Sequence, residues 1–217
     1  MDLLGRIREE SRDPPEAHPL GTRKPERWQT PSLLLARLQA PVRSAGQRPS
    51  EIVIRPEEPG DERAIDEVVR DAFAGAAHSS GTEKLIVKAL RDSRGLTISF
   101  VAAEGADIVG HVAVSPVAAE GTAGEWFGLG PLSVRPEWQR RGIGMALTRE
   151  ALERLRRSGA AGCLVLGDPA YYGRFGFEHD PSVWFPDVPP PYFQLLAFTE
   201  QRPTGQVDYH PAFGVTE

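Results

Sequence analysis

The feature that most constrains this chain is the segment Leu129–Gly144, which reads LGPLSVRPEWQRRGIG. Its first half predicts a strand, a short polar loop follows, and glycines open a helix. Such a junction presents unpaired backbone N–H groups at the positive end of a helix dipole, so it predicts an anion site. Gly142 and Gly144 would let a phosphate approach the backbone, because neither has a Cβ. Arg140 and Arg141 add positive charge.

Two other phosphate-binding motifs fit this segment less well. A P-loop needs Lys followed by Ser or Thr after its last glycine, whereas Met145 and Ala146 follow here. A dinucleotide fingerprint needs a third glycine, and Leu147 stands in its place. The structural alternative is that the glycines only ease packing between the helix and the sheet.

The elements on either side of this segment predict an α/β domain. Apolar residues at helical spacing predict four helices. Two of them begin after the capping residues Asp61 and Thr82, and the other two span Gly142–Ser158 and Ala170–Phe175. Short β-branched or alternating runs predict strands at Ile52–Arg55, Leu96–Ala103, Ile108–Val117, Trp126–Val134, Cys163–Leu166, around Phe177 and at Gln194–Phe198. Antiparallel strands followed by a strand–helix–strand crossover predict a mixed, mainly antiparallel central sheet flanked by helices.

The composition divides the 217 residues into an arm and a domain. Residues 1–50 hold seven of the 20 prolines and little periodicity, which predicts a proline-rich, disordered N-terminal arm. Extra residues from an upstream start codon are the alternative. The folded domain is expected to span residues 51–217.

Charge and cysteine content limit the partners. Residues 1–50 hold nine Lys or Arg against six Asp or Glu, and the remainder holds 16 against 24. An acidic domain repels nucleic acid and favours a cationic partner such as an amine. Cys163 is the only cysteine, which excludes an intrachain disulfide and favours the cytoplasm. No apolar run approaches the roughly 18 residues that span a bilayer, so no membrane segment is expected.

Three blocks resemble the GNAT superfamily of N-acetyltransferases. Gln139–Gly144 resembles its Q/R-x-x-G-x-G/A loop for the acyl-CoA pyrophosphate, and Gly130–Val134 resembles its central strand. Tyr171–Phe177, reading YYGRFGF, is similar to its aromatic-Tyr-x-x-x-Gly-Phe signature. The blocks occur in family order, and the chain resembles most a bacterial subgroup of predicted N-acetyltransferases.

The resemblance implies a splayed acyl-CoA cleft and direct transfer of an acetyl group from acetyl-CoA to a primary amine. The central strand and the strand ending near Gly167 would part, and the pantetheine arm would enter between them. Pro131 cannot donate a ladder hydrogen bond, which predicts a bulge there. The residues expected to hold the cofactor are Leu132, Ser133, Val134, Gln139, Arg140, Arg141, Gly142, Ile143 and Gly144.

The resemblance also implies a proton donor. Tyr172 would protonate the departing thiolate, since a phenol of pKa about 10 stays protonated at neutral pH. A tyrosine that only anchors its helix is the alternative, and Tyr171 is expected to pack. Glu125, at the start of the central strand, is the candidate general base, with Glu104 in a hairpin as a second. An exposed strand-end carboxylate is the alternative for both.

Other polar and aromatic residues receive structural interpretations. His111 is expected to be a hydrogen-bonded sheet histidine or to face the cleft, Asp168 to cap a helix, and Cys163 to lie in the core. No spacing predicts a metal site. Trp184 and Phe185, in the proline-rich stretch Pro181–Pro191, either line the acceptor pocket or belong to a surface connection. The alternative functions are a catalytically silent acyl-CoA-binding module and an enzyme that uses a longer acyl group.

Overall fold

The computed structural model describes residues 51–74, 83–119 and 124–215, which lie within one compact unit. The predicted arm over residues 1–50 and the predicted cap at Thr82 fall outside these ranges. The start of the domain near residue 51 stays a prediction.

A mixed sheet forms the centre of the domain. Its strand order is β1-β2-β3-β4-β5-β7, in which β4 and β5 are parallel and all other neighbours are antiparallel. The short strands β6 and β8 pair with each other, and β8 also pairs with the end of β3. The strands are β1 (Ile52–Pro56), β2 (Ile98–Glu104), β3 (Asp107–Ala119), β4 (Trp126–Val134), β5 (Gly162–Leu166), β6 (Val183–Trp184), β7 (Phe193–Ala197) and β8 (Gly205–Tyr209).

Helices cover both faces of this sheet. They are α1 (Glu62–Phe73), α2 (Glu83–Asp92), α3 (Ile143–Arg157) and the single turn α4 (Pro169–Tyr172), which continues into a short 3₁₀ helix, Gly173–Phe175. Apolar residues of α3 pack with Phe100 and Val112. Those of α1 pack with Val101, which lies on the opposite face because neighbouring strand residues alternate. The sheet, the helices on both faces and the β4–α3–β5 crossover confirm the predicted fold class.

The stripe predicted for α3 is buried as expected. Ile143, Leu147, Ala151 and Leu155 are each at most 4% exposed. This burial anchors the helix whose first turn faces the cleft described below. Within the described ranges, no helix is both long and apolar enough to cross a membrane.

Two local predictions differ from the structure, and strand β8 was not predicted. Asp61 precedes α1, but its carboxylate accepts hydrogen bonds from Arg55 and from the Glu58 backbone N–H and caps no helical N–H. The strand predicted around Phe177 is a single bridge between Glu178 and Leu195. Strand β8 escaped prediction because its sequence, GQVDY, lacks an apolar alternation long enough to be recognised.

Candidate functional site

Strands β4 and β5 pair over only part of their length. Their parallel pairing stops after Leu129 and Val165. Beyond Leu129, β4 continues to Val134 and, in the described part of the chain, pairs there with β3 alone. One edge of residues 130–134 therefore faces a gap, and its outward backbone groups have no strand partner. The two strands splay apart as the resemblance implies.

A bulge in β4 opens this gap. Val112 of β3 lies opposite Leu132, whereas Val114 lies opposite Leu129, so β4 carries one residue more than β3 over the same stretch. Pro131 lies within the bulge, at a position where the ladder needs no N–H donor. The bulge predicted at Pro131 is confirmed.

The loop after β4 leads into the exposed N-terminus of α3. Gly142 precedes the helix with φ +84°, a left-handed conformation that favours glycine. The first helical hydrogen bond joins the Ala146 N–H to the Gly142 carbonyl at 2.9 Å, so the three preceding N–H groups have no partner within the helix. No acidic side chain occupies the first turn. The Gln139 amide donates to the Val134 carbonyl at 3.0 Å and ties the loop to the strand end.

The gap and the helix N-terminus share one cavity of about 550 Å³. Two sequence-predicted residues do not line it. Ser133 is buried on the opposite face of the sheet, across from His111, and Arg141 stacks on Trp138 at 4.7 Å. The lining consists of Leu132, Val134, Trp138, Gln139, Arg140, Gly142, Ile143, Gly144, Met145, Tyr171 and Arg174. Seven of the nine residues predicted to hold a cofactor are thus brought together.

The two glycines serve different purposes. A Cβ at Gly142 would meet no atom within 4 Å, so its backbone conformation is what requires glycine. A Cβ at Gly144 would lie 2.8 Å from the Tyr171 hydroxyl oxygen, which is too close. Gly144 therefore makes room for Tyr171, a reason that differs from the phosphate approach expected from the sequence.

Tyr171 forms one wall of the cavity. Its hydroxyl is buried and has no hydrogen-bond partner among the described residues. Burial raises the pKa of the Tyr171 phenol, and the nearby Thr148 hydroxyl and Arg174 guanidinium oppose this rise. The Thr148 hydroxyl is close to the phenol, but the two do not form a hydrogen bond of normal geometry. Tyr171 thus lines the cleft, whereas the sequence predicted only a packing role.

Comparisons with known proteins identify the family. Residues 96–179 match the family model described as an acetyltransferase (GNAT) domain. The uncharacterized N-acetyltransferase YhbS of Escherichia coli strain K12 is 35% identical over 170 residues, which cover 75% of this chain and 98% of YhbS.

The chain belongs to the GNAT family of acetyltransferases.

Solved structures of two relatives extend the comparison of this GNAT domain. A GNAT family acetyltransferase from Brucella melitensis, in complex with acetyl-CoA, is 45% identical with a TM-score of 0.68 over 76% of this chain and 99% of its own. YhbS from Escherichia coli, in complex with CoA, is 32% identical with a TM-score of 0.71 over 79% of this chain and 97% of its own.

Tyr172 lies next to Tyr171 and at the end of β5 that borders the gap between β4 and β5 of this GNAT domain. Its ring meets those of Tyr171 and Phe177 edge to face, at centroid distances of 4.9 and 5.8 Å. Its ring fits against Gly167, where a Cβ would clash with the ring. Burial, with smaller contributions from Tyr171 and Cys163, raises the pKa of the Tyr172 phenol. The phenol is therefore protonated at neutral pH.

The two candidate bases lie away from the cavity. Glu125 is exposed and precedes β4, whereas the cavity lies at the other end of that strand. A strand rises about 3.3 Å per residue, so roughly 30 Å of β4 separates Glu125 from Val134 and roughly 17 Å separates it from the bulge. Glu104 ends β2, two strands from β4. This geometry argues against Glu125 as the base.

His111 belongs to a buried polar chain on the opposite face of the sheet. Its Nε2 lies 2.9 Å from the Ser99 hydroxyl, which donates to the Glu57 carboxylate. Glu57 also accepts from the Arg91 Nε at 2.9 Å. Since the single Ser99 hydroxyl proton points to Glu57, Ser99 accepts from Nε2–H, and the lone pair is on Nδ1. Burial, followed by the charge of Arg91, lowers the pKa of His111 to about 3, so the imidazole is neutral. His111 is therefore a hydrogen-bonded histidine within the sheet and does not face the cleft.

The remaining interpretations concern capping, packing and the aromatic loop. Asp168 caps α4, because its carboxylate accepts from the Ala170 N–H at 2.8 Å. Cys163 is fully buried, and burial raises the pKa of its thiol. Phe185 packs against Phe193 at 6.1 Å, whereas Trp184 is 51% exposed. No group of three or more His, Cys, Asp or Glu that could hold a metal occurs in the described part of the chain.

The sequence interpretation missed Arg174 as a lining residue. The signal lies within the YYGRFGF block, since residues three apart in a helical turn share one face and Arg174 follows Tyr171 by three. Met145 and Trp138 were also missed, and their side-chain directions depend on tertiary packing.

Proposed function

We propose that the protein transfers an acetyl group from acetyl-CoA to a primary amine by direct attack of the amine. The observation that carries this proposal is the single cavity that joins the N-terminus of α3 to the unpaired edge of β4. CoA has a pyrophosphate, which suits a helix N-terminus, and pantetheine amides, which suit an open strand edge. The cavity offers both features in one continuous space.

The residues present fit the cofactor. The unpaired N–H groups at the start of α3 would hold the pyrophosphate, with Arg140 supplying charge, and backbone groups of Leu132 and Val134 would pair with the pantetheine amides. Ser133 would contribute through its backbone, because its side chain lies on the opposite face. The acetyl-CoA of the Brucella relative and the CoA of YhbS support this assignment.

The thioester would supply the activated acyl group, and the residues of this chain would position it and manage protons. Tyr172 is the proposed proton donor to the leaving thiolate, since its raised pKa keeps the phenol protonated. We do not propose Glu125 as the base, because roughly 17 Å of β4 separates it from the bulge. The only cysteine and the use of CoA favour the cytoplasm as the place of action.

Release of free CoA from acetyl-CoA in the presence of a library of primary amines tests this function. We expect amine-dependent CoA release, with an acetylated amine detected by mass spectrometry. Binding of acetyl-CoA without release in any mixture would instead support a silent acyl-CoA-binding module. A parallel reaction with longer acyl-CoA thioesters determines the acyl group, and a faster rate with one of them would replace acetyl in the proposal.

A further inference from the structure

Arg174 is a cation that is held in place but has no anionic partner among the described residues. Its guanidinium stacks on the Tyr171 ring at 4.6 Å, its Nε donates to the Tyr171 carbonyl at 3.1 Å, and an Nη lies 3.9 Å from the Met145 sulfur. The side chain is exposed and lines the cavity. None of its contacts with the described residues is to a carboxylate.

Two other arginines of this GNAT domain differ from Arg174, one because it is paired with a carboxylate and one because it lies away from the cavity. Arg157 on α3 pairs with Glu153 at 3.1 Å, four residues earlier. Arg141 stacks on Trp138 in a similar way, but it does not line the cavity. Arg174 combines a fixed direction, a position on the cavity wall and an unneutralised charge, which together suit a phosphate ligand.

Arg174 lies at the exposed border of the pyrophosphate site, on a different element from the one that forms that site. The inner end of the cavity is the β4 edge at Leu132, and the start of α3 follows. Arg174 comes from the 3₁₀ helix Gly173–Phe175 and is exposed. It contacts the side chain of Met145, the last of the three residues with unpaired N–H groups at the start of α3. In a CoA molecule laid out from pantetheine to pyrophosphate along this path, the group that follows outward is the ribose with its 3′-phosphate.

We propose that Arg174 binds the 3′-phosphate of CoA and makes the protein distinguish CoA from dephospho-CoA. This inference rests on the cofactor of the proposed function but not on acyl transfer. Because the guanidinium is already fixed by Tyr171, binding would cost little further side-chain entropy. Solvent exposure limits the gain, and we expect a preference of about tenfold for CoA over dephospho-CoA.

Calorimetric titration of the full chain with CoA and with dephospho-CoA, at one ionic strength, tests the proposal. The wild type should prefer CoA about tenfold, and Arg174→Gln should reduce that preference to within twofold while its affinity for dephospho-CoA stays within twofold of the wild type. Arg141→Gln is the matched comparison: it removes a stacked cation that does not line the cavity and should leave the preference intact. Arg174→Met repeats the test with the apolar stem retained.

The proposal is overturned if the wild type binds CoA and dephospho-CoA with equal affinity. It is also overturned if Arg174→Gln weakens the binding of both nucleotides by the same factor, or if this variant keeps the wild-type preference for CoA. An equal loss would place Arg174 at the pyrophosphate. If the wild type binds neither nucleotide, the cofactor assignment itself fails, and the proposed function with it. If the preference depends on Arg174 but no amine is acetylated, only the transfer reaction is refuted.

Discussion

Two polar regions lie on opposite sides of the strands β3 and β4. In one region the charged side chains are paired with each other, and in the other they have no such pairs among the described residues. Under α1 and α2, the carboxylate of Glu57 receives hydrogen bonds from both Arg91 and Ser99, and Ser99 is bonded to His111. In the cavity on the α3 side, Arg140 and Arg174 line the wall, and neither forms an ion pair with a carboxylate of the described residues.

Because of this difference, we expect the paired region to contribute to stability and the cavity to contribute to ligand binding. When a partly buried charge is paired inside the protein, removing its partner lowers the free energy of unfolding, because the remaining charge is left without compensation. Cations and helix N–H groups left without partners around a cavity contribute little to folding and are available to a ligand. Substitutions in the paired region should therefore change the free energy of unfolding, and substitutions in the cavity should change binding or turnover.

The largest expected effect is on turnover, from Tyr172→Phe. Loss of the phenol proton should lower chemistry-limited turnover about 10²–10⁴-fold with little change in acetyl-CoA affinity, since ring packing is kept. Wild-type turnover should not fall on the basic side below pH 10, because burial raises the pKa above that ordinary value. The measurement is the pH dependence of kcat. If Tyr171→Phe causes the loss and Tyr172→Phe does not, the acid is the phenol that lines the cavity.

The next effect is on the pH dependence of stability, through His111. The folded-state pKa is about 3, below the unfolded value of 6.5, so the unfolded chain binds a proton that the folded protein does not. This contribution to stability is complete above pH 6.5 and falls by about 1.4 kcal/mol per pH unit towards pH 3. Between pH 6.5 and 4.5, the free energy of unfolding of the wild type should fall by up to about 3 kcal/mol more than that of His111→Gln.

Denaturant unfolding of both proteins across that range measures the difference. Asp66, whose pKa burial raises, is present in both proteins, so subtraction removes its titration to first order. Identical slopes for the wild type and His111→Gln would mean that His111 is protonated in the folded protein, contrary to the buried neutral imidazole.

A smaller effect is expected from the ion pair itself. Arg91→Met leaves the Glu57 carboxylate, 13% exposed, without its guanidinium partner and should cost about 2 kcal/mol of unfolding free energy. Lys88→Met on the same helix breaks a pair to Asp92 whose side chains are 63% and 61% exposed, and should cost less than about 0.5 kcal/mol. Equal losses would refute the distinction between the pairs, and a matching loss of acetyl-CoA affinity in Arg91→Met would refute the separation of the two regions.

The smallest effect is expected at the contact between Gly144 and Tyr171. Gly144→Ala places a methyl group 2.8 Å from the Tyr171 hydroxyl oxygen and should weaken acetyl-CoA binding about tenfold by displacing the wall. Gly144→Ala/Tyr171→Phe removes the opposing oxygen and should recover most of that loss by calorimetry. No recovery would mean that the alanine interferes with the ligand directly, as the sequence first suggested.

The sequence predicted the framework of the cleft well because its signals are local. The strand predicted at Trp126–Val134 matches β4 residue for residue, and Pro131 marks the bulge. Gly142, predicted to open the helix, is the residue that immediately precedes α3. Each of these depends on the conformation of a few consecutive residues, which sequence patterns report directly.

What the sequence left open depends on contacts between distant elements. Glu125 was the candidate base because it precedes the central strand, but it lies at the opposite end of β4 from the cavity. The sequence does not reveal which residues of distant elements approach the cavity. Ser133 and Arg141 lie within the motif yet point elsewhere, since alternation along a strand and stacking on Trp138 decide their directions. The polar chain of His111 brings together residues 57, 91, 99 and 111, whose sequence separations no local pattern reveals.

The unpaired edge of β4 has a consequence for self-association. A strand with free N–H and C=O groups can accept a strand from another molecule, which is a common route to aggregation. Here Pro131 removes one donor, and the bulge bends the ladder on which an incoming strand would have to align. The residues that open the edge thus also make it a poor template for a second copy of the chain.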